Sequence, residues 1–228
     1  MDRLEVFKRA SLCRNFDEVV FEKLQDKTIA YPTYLSVGQE FISATIAQTI
    51  YGMGIEPDIF IQSTVNRASQ ILSKNISKEE KINKLRSIAS ETVDIRGVGF
   101  YSLGSARKVL DDKQKEQFFE LFENYFLKSF SSRLAEYTNP EIDVFAKEVL
   151  NKNYTIVNSV LKATSERPEI KIDWRIYTKN PDQPLIRDLI IEGLSLARTQ
   201  KEEFASVLSS NDGDINALFK TLEEFSNK

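Results

Sequence analysis

Side chains able to perform catalysis are scarce in this sequence of 228 residues, which contains no histidine and a single cysteine, Cys13. Without histidine the chain cannot form a Ser-His-Asp or Cys-His nucleophilic site, and it has no imidazole to serve as general base or metal ligand. One cysteine excludes an internal disulfide and every zinc or iron–sulfur pattern that needs several thiolates. Carboxylate or lysine chemistry without a metal stays open. We therefore predict a protein that is not an enzyme, with no catalytic residue, no metal site and no cofactor.

Two short motifs resemble ligand-binding loops, but each lacks a residue that binding requires. The glycine-rich stretch at 97–104 approaches a dinucleotide-binding fingerprint, yet Ser102 stands where the third glycine is needed. Residues 211–214 begin like a calcium loop, yet Leu222 stands where the bidentate carboxylate is needed. We interpret the first motif as a structural turn and the second as a helix-capping turn.

The best candidate for a binding function is an aromatic segment at 118–130, in which six of the 13 residues are Phe or Tyr. In a helix these rings form either ordinary core against a sheet or one wall of an apolar cavity. The opposite wall would come from alternate residues of two predicted strands, namely Ile172, Trp174, Ile176, Leu189 and Ile191. Acyl-chain pockets need few polar groups, and each buried methylene contributes about 0.8 kcal/mol. Such a cavity could hold lipid without a reactive side chain, and both interpretations stay open.

Hydrophobic periodicity predicts the elements that would position these residues. Apolar residues at helical spacing predict a helix beginning near Asp58, a second that starts with the capping-box pair Ser77 and Glu80, and a long third helix at 111–137. The stretch at 93–104 is short and interrupted by glycines. Alternation with a period of two then predicts four hairpin-linked strands, at 142–146, 154–161, 170–176 and 185–192. Two further helices follow at 195–209 and 214–225.

The separation of helices from strands along the chain predicts the fold class. It indicates an α+β fold in which helices pack on a four-stranded antiparallel sheet. In the cavity interpretation of the aromatic segment, the helices and the sheet enclose an apolar cavity. Apolar stripes before residue 52 predict an additional N-terminal helical extension. The cluster of Gly52, Gly54 and Pro57 is the best candidate for the junction between the two parts.

Charge and hydropathy limit the partners that the chain can have. Lysine and arginine number 31 against 34 aspartate and glutamate, which leaves a net charge of −3. No basic excess is available to neutralise a phosphate backbone, so nucleic acid is disfavoured. No apolar run is long enough for a transmembrane helix, so we expect no stable membrane insertion. The charged N-terminus is unlike a signal peptide.

The C-terminal three quarters of the chain resemble a known family. The run at 184–196, PLIRDLIIEGLSL, is followed by Phe204 and by DGDINALFKTLEE at 212–224. Together with VDIRGVGFYSLGSARK, the aromatic helix and the strand IKIDWRIY, these segments resemble the MlaC (toluene-tolerance, auxiliary ABC-transport) family. The Glu-Gly-Leu-Ser-Leu turn that starts at Glu192 is the most specific part. The order of elements in that family agrees with the α+β fold predicted from periodicity.

The resemblance implies a periplasmic carrier that holds phospholipid acyl chains in a hydrophobic cavity. Its partners would be an inner-membrane ABC transporter complex and an outer-membrane lipoprotein complex, and it would help to maintain outer-membrane lipid asymmetry. The residues expected to contact the acyl chains come from the aromatic helix and from the strands that face it: Phe118, Phe122, Tyr125, Phe126, Trp174, Ile176, Leu189, Ile191 and Leu194.

The first 57 residues resemble a different family. They are similar to the start of the α subunit of thiamine-diphosphate-dependent 2-oxo acid dehydrogenases, with the match centred on YLSVGQE at 34–40. The His-Arg segment and the Gly-Asp-Gly…Asn cofactor motif of that family do not occur in the chain. We therefore predict a fusion of a helical extension (1–57), without a cofactor site, and a lipid-binding domain (58–228). If the fusion is natural, the protein would be cytoplasmic rather than periplasmic.

Two other functions stay open at the level of sequence. The chain could be a subunit or fragment of a thiamine-diphosphate enzyme, which would require binding of that cofactor and magnesium. Alternatively, it could be a non-catalytic helical interaction protein whose aromatic face docks a partner helix.

Overall fold

The computed structural model describes residues 55–137, 140–165 and 167–227. The chain divides into two units, Met1–Ile55 and Glu56–Lys228, and all the described helices and strands belong to the second unit. The predictions made for residues 1–54 lie outside the described residues, and the domain boundary at residue 57 stays a prediction.

Four helices come first: α1 (Pro57–Leu72), α2 (Lys78–Thr92), α3 (Ile95–Ser102) and, after a 3₁₀ turn at Ala106–Lys108, α4 (Asp112–Leu134). Five strands and two helices follow: β1 (Ile142–Asn151), β2 (Tyr154–Leu161), β3 (Ile170–Tyr177), β4 (Leu185–Ile191), β5 (Leu194–Ser195), α5 (Leu196–Ser209) and α6 (Ile215–Asn227).

The described strands form an antiparallel sheet in the sequential order β1-β2-β3-β4-β5. Buried and less buried residues alternate along β2 and β3, as expected for strands with one face against a core. Val157 lies opposite Trp174, and Ser159 lies opposite Ile172, so the apolar residues of neighbouring strands share one face. The predicted α+β fold with an antiparallel sheet is confirmed.

The sheet has five strands rather than the four predicted. β4 and β5 are joined by Glu192 and Gly193, which both have positive φ angles, 49° and 81°, as a type I′ hairpin turn requires. Ile191 then pairs with Leu194. The sequence pattern could not reveal β5, because a two-residue strand is too short to show alternation.

The edge strand β1 extends beyond the predicted 142–146. Its pairing with β2 is irregular between Val144 and Ala146, and the residues at and beyond this bulge are largely exposed, including Phe145 at 65% and Val149 at 71%. A bulge shifts the side chains that follow it to the other face, so the alternation that defines a strand in sequence stops at this point.

Helix starts follow local capping chemistry. α1 begins at Pro57, with Glu56 as its N-cap, because proline is already suited to the first helical position. Asp58, near which the sequence predicts the helix start, lies inside the first turn. The Ser77 side chain accepts a hydrogen bond from the Glu80 backbone N–H, as its sequence pattern predicts. α4 has a full capping box between Asp111 and Gln114.

No helix in the described ranges has the length and apolar character needed to cross a bilayer.

The glycine-rich stretch after α2 was predicted to be a structural turn, but most of it forms a helix, α3. Asp94 caps it by accepting a hydrogen bond from the Gly97 N–H at 2.8 Å. A Cβ at Gly99 would lie 2.7 Å from the Phe122 ring, so glycine at this position allows α3 and α4 to approach closely. The glycines therefore serve helix packing, which their sequence spacing alone does not reveal.

The core lies between the sheet and the helices and includes Phe118, Phe122, Val157 and Ile176, each almost inaccessible to solvent. Trp174 is also buried, and its indole N–H donates to the Ser159 hydroxyl at 2.8 Å. That hydroxyl donates in turn to the Ile172 carbonyl at 2.9 Å. The Trp174 ring is thus fixed in the core by a satisfied polar chain.

We expect Ser159→Ala to lower the free energy of unfolding by about 1–3 kcal/mol, because it leaves the buried Trp174 N–H without its acceptor. Chemical denaturation monitored by circular dichroism measures the change. In a Trp174→Phe background, which has no indole N–H, the same substitution should cost less. Equal costs in the two backgrounds would contradict the assigned hydrogen bond.

We also expect Gly99→Ala to destabilise the protein by about 1–2 kcal/mol. The added methyl group overlaps the Phe122 ring, and this strain exceeds the gain in helix propensity. Thermal and urea denaturation measure the effect. A Phe122→Leu background should reduce the cost, whereas a stabilised Gly99→Ala variant would show that the helices do not approach as described.

Candidate functional site

A cavity of about 160 Å³ lies between α4, α5 and β4. α2 and α3 complete the wall. Most of its lining residues are apolar: Val93, Val98, Phe122, Tyr125, Phe126, Phe130, Ile186, Leu189, Leu196 and Ala197. Polar side chains contribute the rest of the wall: Ser129, Arg133, Arg187, Asp188, Thr199, Gln200 and Glu203. A mostly apolar wall with a few polar groups is the usual composition of a small-molecule site.

The aromatic wall of the cavity is a stacked row on α4. Phe118, Phe122, Phe126 and Phe130 are four residues apart, which places them on the same side of the helix. Neighbouring ring centroids in this row are 5.5, 6.0 and 5.6 Å apart. Phe204 of α5 meets the Phe118 and Phe122 rings edge-on, at 89° and 87°. The Phe118 end of the row is therefore packed in the core, and the Phe130 end lines the cavity.

The structure divides the nine residues predicted to contact lipid into two groups. Phe122, Tyr125, Phe126 and Leu189 line the cavity together. The others lie elsewhere: Phe118, Trp174 and Ile176 are packed in the core, Ile191 is half-buried opposite Ile172, and Leu194 is 60% exposed. A role in lipid contact for the nine residues stays a prediction.

Several lining residues had no signal in the sequence that pointed to a site. Val93 follows the end of α2, and Val98 lies in α3. The sequence pattern did not predict that α3 is a helix. Leu196 and Ala197 occupy the first turn of α5 and reach the cavity because the β4–β5 hairpin turns the chain back. An alternating pattern on Ile186 and its neighbours indicated a strand, but it could not show which residues face a void.

Polar contacts in the wall hold α4 and α5 together. The Tyr125 hydroxyl donates to Gln200 Oε1 at 3.0 Å, and Gln200 Nε2 donates to Glu203 at 3.0 Å. Burial raises the pKa of the Tyr125 hydroxyl above its usual value, and the hydrogen bond with Gln200 opposes this in part. The phenol therefore stays protonated at neutral pH.

A second set of polar contacts lies on β4. Arg187 donates through Nε to Asp94 Oδ2 at 2.6 Å and through an Nη to the Tyr154 hydroxyl at 3.2 Å. Its guanidinium carbon also lies 4.4 Å from the centre of the Tyr177 ring. These contacts fix the Arg187 guanidinium in one position at the edge of the cavity.

Asp188, the next residue, is buried and supports the start of α5. Its carboxylate accepts from the Ser195 hydroxyl at 2.6 Å and from the Ala197 N–H at 3.0 Å. The positive end of the helix dipole favours an anion at this point. Asp188 therefore stabilises the start of α5 through these two hydrogen bonds.

The geometry supports binding of an apolar ligand. Within the ranges that the structure describes, no cluster of three or more His, Cys, Asp or Glu side chains is suited to hold a metal ion. Tyr125, Arg187 and Asp188, all in the cavity wall, are engaged in structural contacts. What the wall offers to a ligand is mainly apolar area and aromatic faces, with a smaller number of polar groups.

Comparisons with known proteins agree with this description. The fold is similar to the solved structure of a phospholipid-binding protein from Ralstonia solanacearum in complex with a phospholipid, with a TM-score of 0.64 at 18% sequence identity. The likeness covers 76% of this chain and 98% of that one. No curated protein sequence matches the chain. The family model for the MlaC protein matches residues 62–224, and the chain therefore belongs to the MlaC family.

Proposed function

We propose that this protein binds a phospholipid and holds its acyl chains in the cavity between α4, α5 and β4. The observation that carries the proposal is the cavity itself, whose wall is built mainly from the Phe row of α4 and from aliphatic side chains of α2, α3, β4 and α5. Membership of the MlaC family supports it, as does the shared fold with a protein solved in complex with a phospholipid. No part of the wall calls for a catalytic role.

The volume of the cavity limits how a phospholipid can enter. At about 160 Å³ it is smaller than the roughly 300–1,000 Å³ of typical sites for drug-sized ligands. Two acyl chains therefore require α4 and α5 to move away from β4. The Tyr125–Gln200 hydrogen bond joins α4 to α5 and would move with them. Each methylene buried in the widened cavity contributes about 0.8 kcal/mol, which offsets the cost of opening.

The cellular role that we propose is that of a periplasmic carrier. It would exchange phospholipid with an inner-membrane ABC transporter complex and an outer-membrane lipoprotein complex, and so help to maintain the lipid asymmetry of the outer membrane. Family membership supports this role. The thiamine-diphosphate alternative depends on residues 1–57, of which 1–54 lie outside the described residues.

Native mass spectrometry of the purified chain tests phospholipid binding directly. We expect a bound species with the mass of a two-chain phospholipid, which organic extraction removes and identifies. A protein that carries no lipid after purification, and that does not take up a fluorescent fatty acid when one is supplied, would overturn the proposal.

Filling the cavity should reduce lipid binding without unfolding the protein. Leu189 lines the cavity and is half-buried, so we expect Leu189→Trp to lower the amount of bound lipid several-fold, because the indole occupies the space that an acyl chain needs. The neighbouring Ile190 is also half-buried but is absent from the wall. Ile190→Trp is therefore the matched control and should retain binding. Lipid per protein, measured by native mass spectrometry, separates the two variants, and equal retention would place the lipid elsewhere.

A further inference from the structure

The exposed side of α3 and of the 3₁₀ turn that follows it carries apolar and basic side chains next to each other. Phe100 and Tyr101 are each 42% exposed, and Val109 is 82% exposed. Lys108 is exposed and Arg107 is half-buried. Together with one lysine of α5, these residues form what we call the basic aromatic surface: Phe100, Tyr101, Arg107, Lys108, Val109 and Lys201. Large apolar side chains that are exposed as a group commonly mark an interaction site.

Both rings of the basic aromatic surface lie beside a cation. The Arg107 guanidinium carbon is 5.1 Å from the centre of the Phe100 ring, and Lys201 Nζ is 5.3 Å from the centre of the Tyr101 ring. Phe100 also stacks on the half-buried Phe119 ring, with centroids 6.4 Å apart. Cation–π attraction keeps each ring and its cation together. A partner that approaches this surface therefore meets apolar area and positive charge at the same place.

The positive charge of the basic aromatic surface is not neutralised within the described part of the protein. No Asp or Glu occurs in the segment 95–110. The three cations of the surface form no ion pair with any residue that the structure describes, whereas the nearby Arg96 is paired with Glu116 at 2.7 Å. The surface is therefore locally basic, although the whole chain has a net charge of −3.

A second group of exposed apolar side chains, on β1, has a different electrostatic environment. Phe145 and Val149 are 65% and 71% exposed, but Glu148 lies between them in the sequence. The one cation in the same stretch, Lys147, is held by the carboxylate of Asp58 at 2.8 Å. These β1 residues therefore offer apolar area without an unpaired positive charge.

An anionic bilayer matches both properties of the basic aromatic surface. Aromatic rings favour the level of the lipid headgroups, and lysine and arginine are attracted by the negative potential of anionic lipids. The strength of binding at such an interface combines buried apolar area with this attraction. An acidic protein would pair with the cations, but it would not require an aliphatic side chain that projects into solvent as far as Val109 does.

We propose that the basic aromatic surface docks the protein reversibly on an anionic lipid bilayer. Its two rings and Val109 enter the headgroup region, and its three cations lie against the lipid phosphates. The attachment is peripheral and needs no membrane-spanning helix. The inference goes beyond the proposed function, because it concerns where the protein meets a membrane rather than what the cavity holds.

Co-flotation of the purified full chain with vesicles tests the docking surface, and the bound fraction at increasing lipid concentration gives a partition coefficient. We expect binding to vesicles of equal parts phosphatidylcholine and phosphatidylglycerol, and little binding to phosphatidylcholine alone. Salt should weaken the binding, because ions screen the attraction. Arg107→Gln and Lys108→Gln should each lower the partition coefficient about five-fold. Phe100→Ser should lower it at low and at high salt alike, because ions do not screen apolar contacts.

Two matched controls remove the same chemistry from other positions. Lys74→Gln removes an exposed cation, unpaired among the described residues, from the loop between α1 and α2, at the end of α2 remote from α3. Phe145→Ser removes a more exposed ring from β1. Neither should change the partition coefficient. Thermal denaturation checks that each variant is folded, and native mass spectrometry should show the lipid load of the wild type, so that docking and lipid carriage are measured separately.

Each alternative result has a distinct meaning. Wild-type protein that does not float with anionic vesicles, or that binds neutral vesicles equally well, would overturn the inference and leave the carrier function intact. Unchanged binding by both Arg107→Gln and Lys108→Gln would do the same. Protein that binds polyglutamate through these residues, but not anionic vesicles, would assign the surface to an acidic protein and also overturn docking on a bilayer. Wild-type protein that docks but carries no lipid would overturn the proposed function alone.

Discussion

The ion pair between Asp94 and Arg187 is the contact on which the candidate site depends. Asp94 caps α3, accepts from Arg187, and donates through its backbone N–H to the Ile186 carbonyl at 2.9 Å. The junction of α2 and α3 is thereby attached to β4 at two points. The attached helix places Gly99 against the Phe122 ring, and this approach in turn sets where the aromatic row of α4 lies relative to the sheet. Loss of the pair would leave two partly buried charges unpaired and release the wall of the cavity.

The second organising feature is the position of β4 between two neighbouring hollows. Leu189 lines only the cavity, whereas Arg187 and Asp188 line both the cavity and a second hollow bounded by α3, the β1–β2 hairpin and β3. The β3–β4 pairing is irregular next to Arg175 and Ile176, and such a bulge redirects side chains that a regular strand would place on alternating faces. One strand can therefore supply residues to two neighbouring hollows.

The fold could be predicted from sequence where a pattern is long and uninterrupted. Ile172, Trp174 and Ile176 alternate with charged neighbours, so β3 and the face that it buries followed directly from the period of two. The long apolar stripe likewise indicated α4. Prediction failed where elements are short or irregular: α3 is interrupted by glycines, β5 has two residues, and β1 continues beyond a bulge. In α3, packing of Gly99 against Phe122 outweighs local preference. β5 is too short to show alternation, and the bulge interrupts the alternation in β1.

The sequence by itself determined the chemistry that this protein lacks and the residue types from which a cavity can be built. The absence of histidine and the aromatic segment of α4 are properties of composition and spacing, and they hold in any fold. Only the tertiary structure decided which aromatic side chains are core and which line a void. Phe118 and Phe126 are equivalent in the sequence pattern, yet Phe204 packs edge-on against the first, which is fully buried, while the second faces the cavity. The physical reason is that periodicity specifies the face of a helix, whereas a void is defined by the elements that pack around that face from elsewhere in the chain.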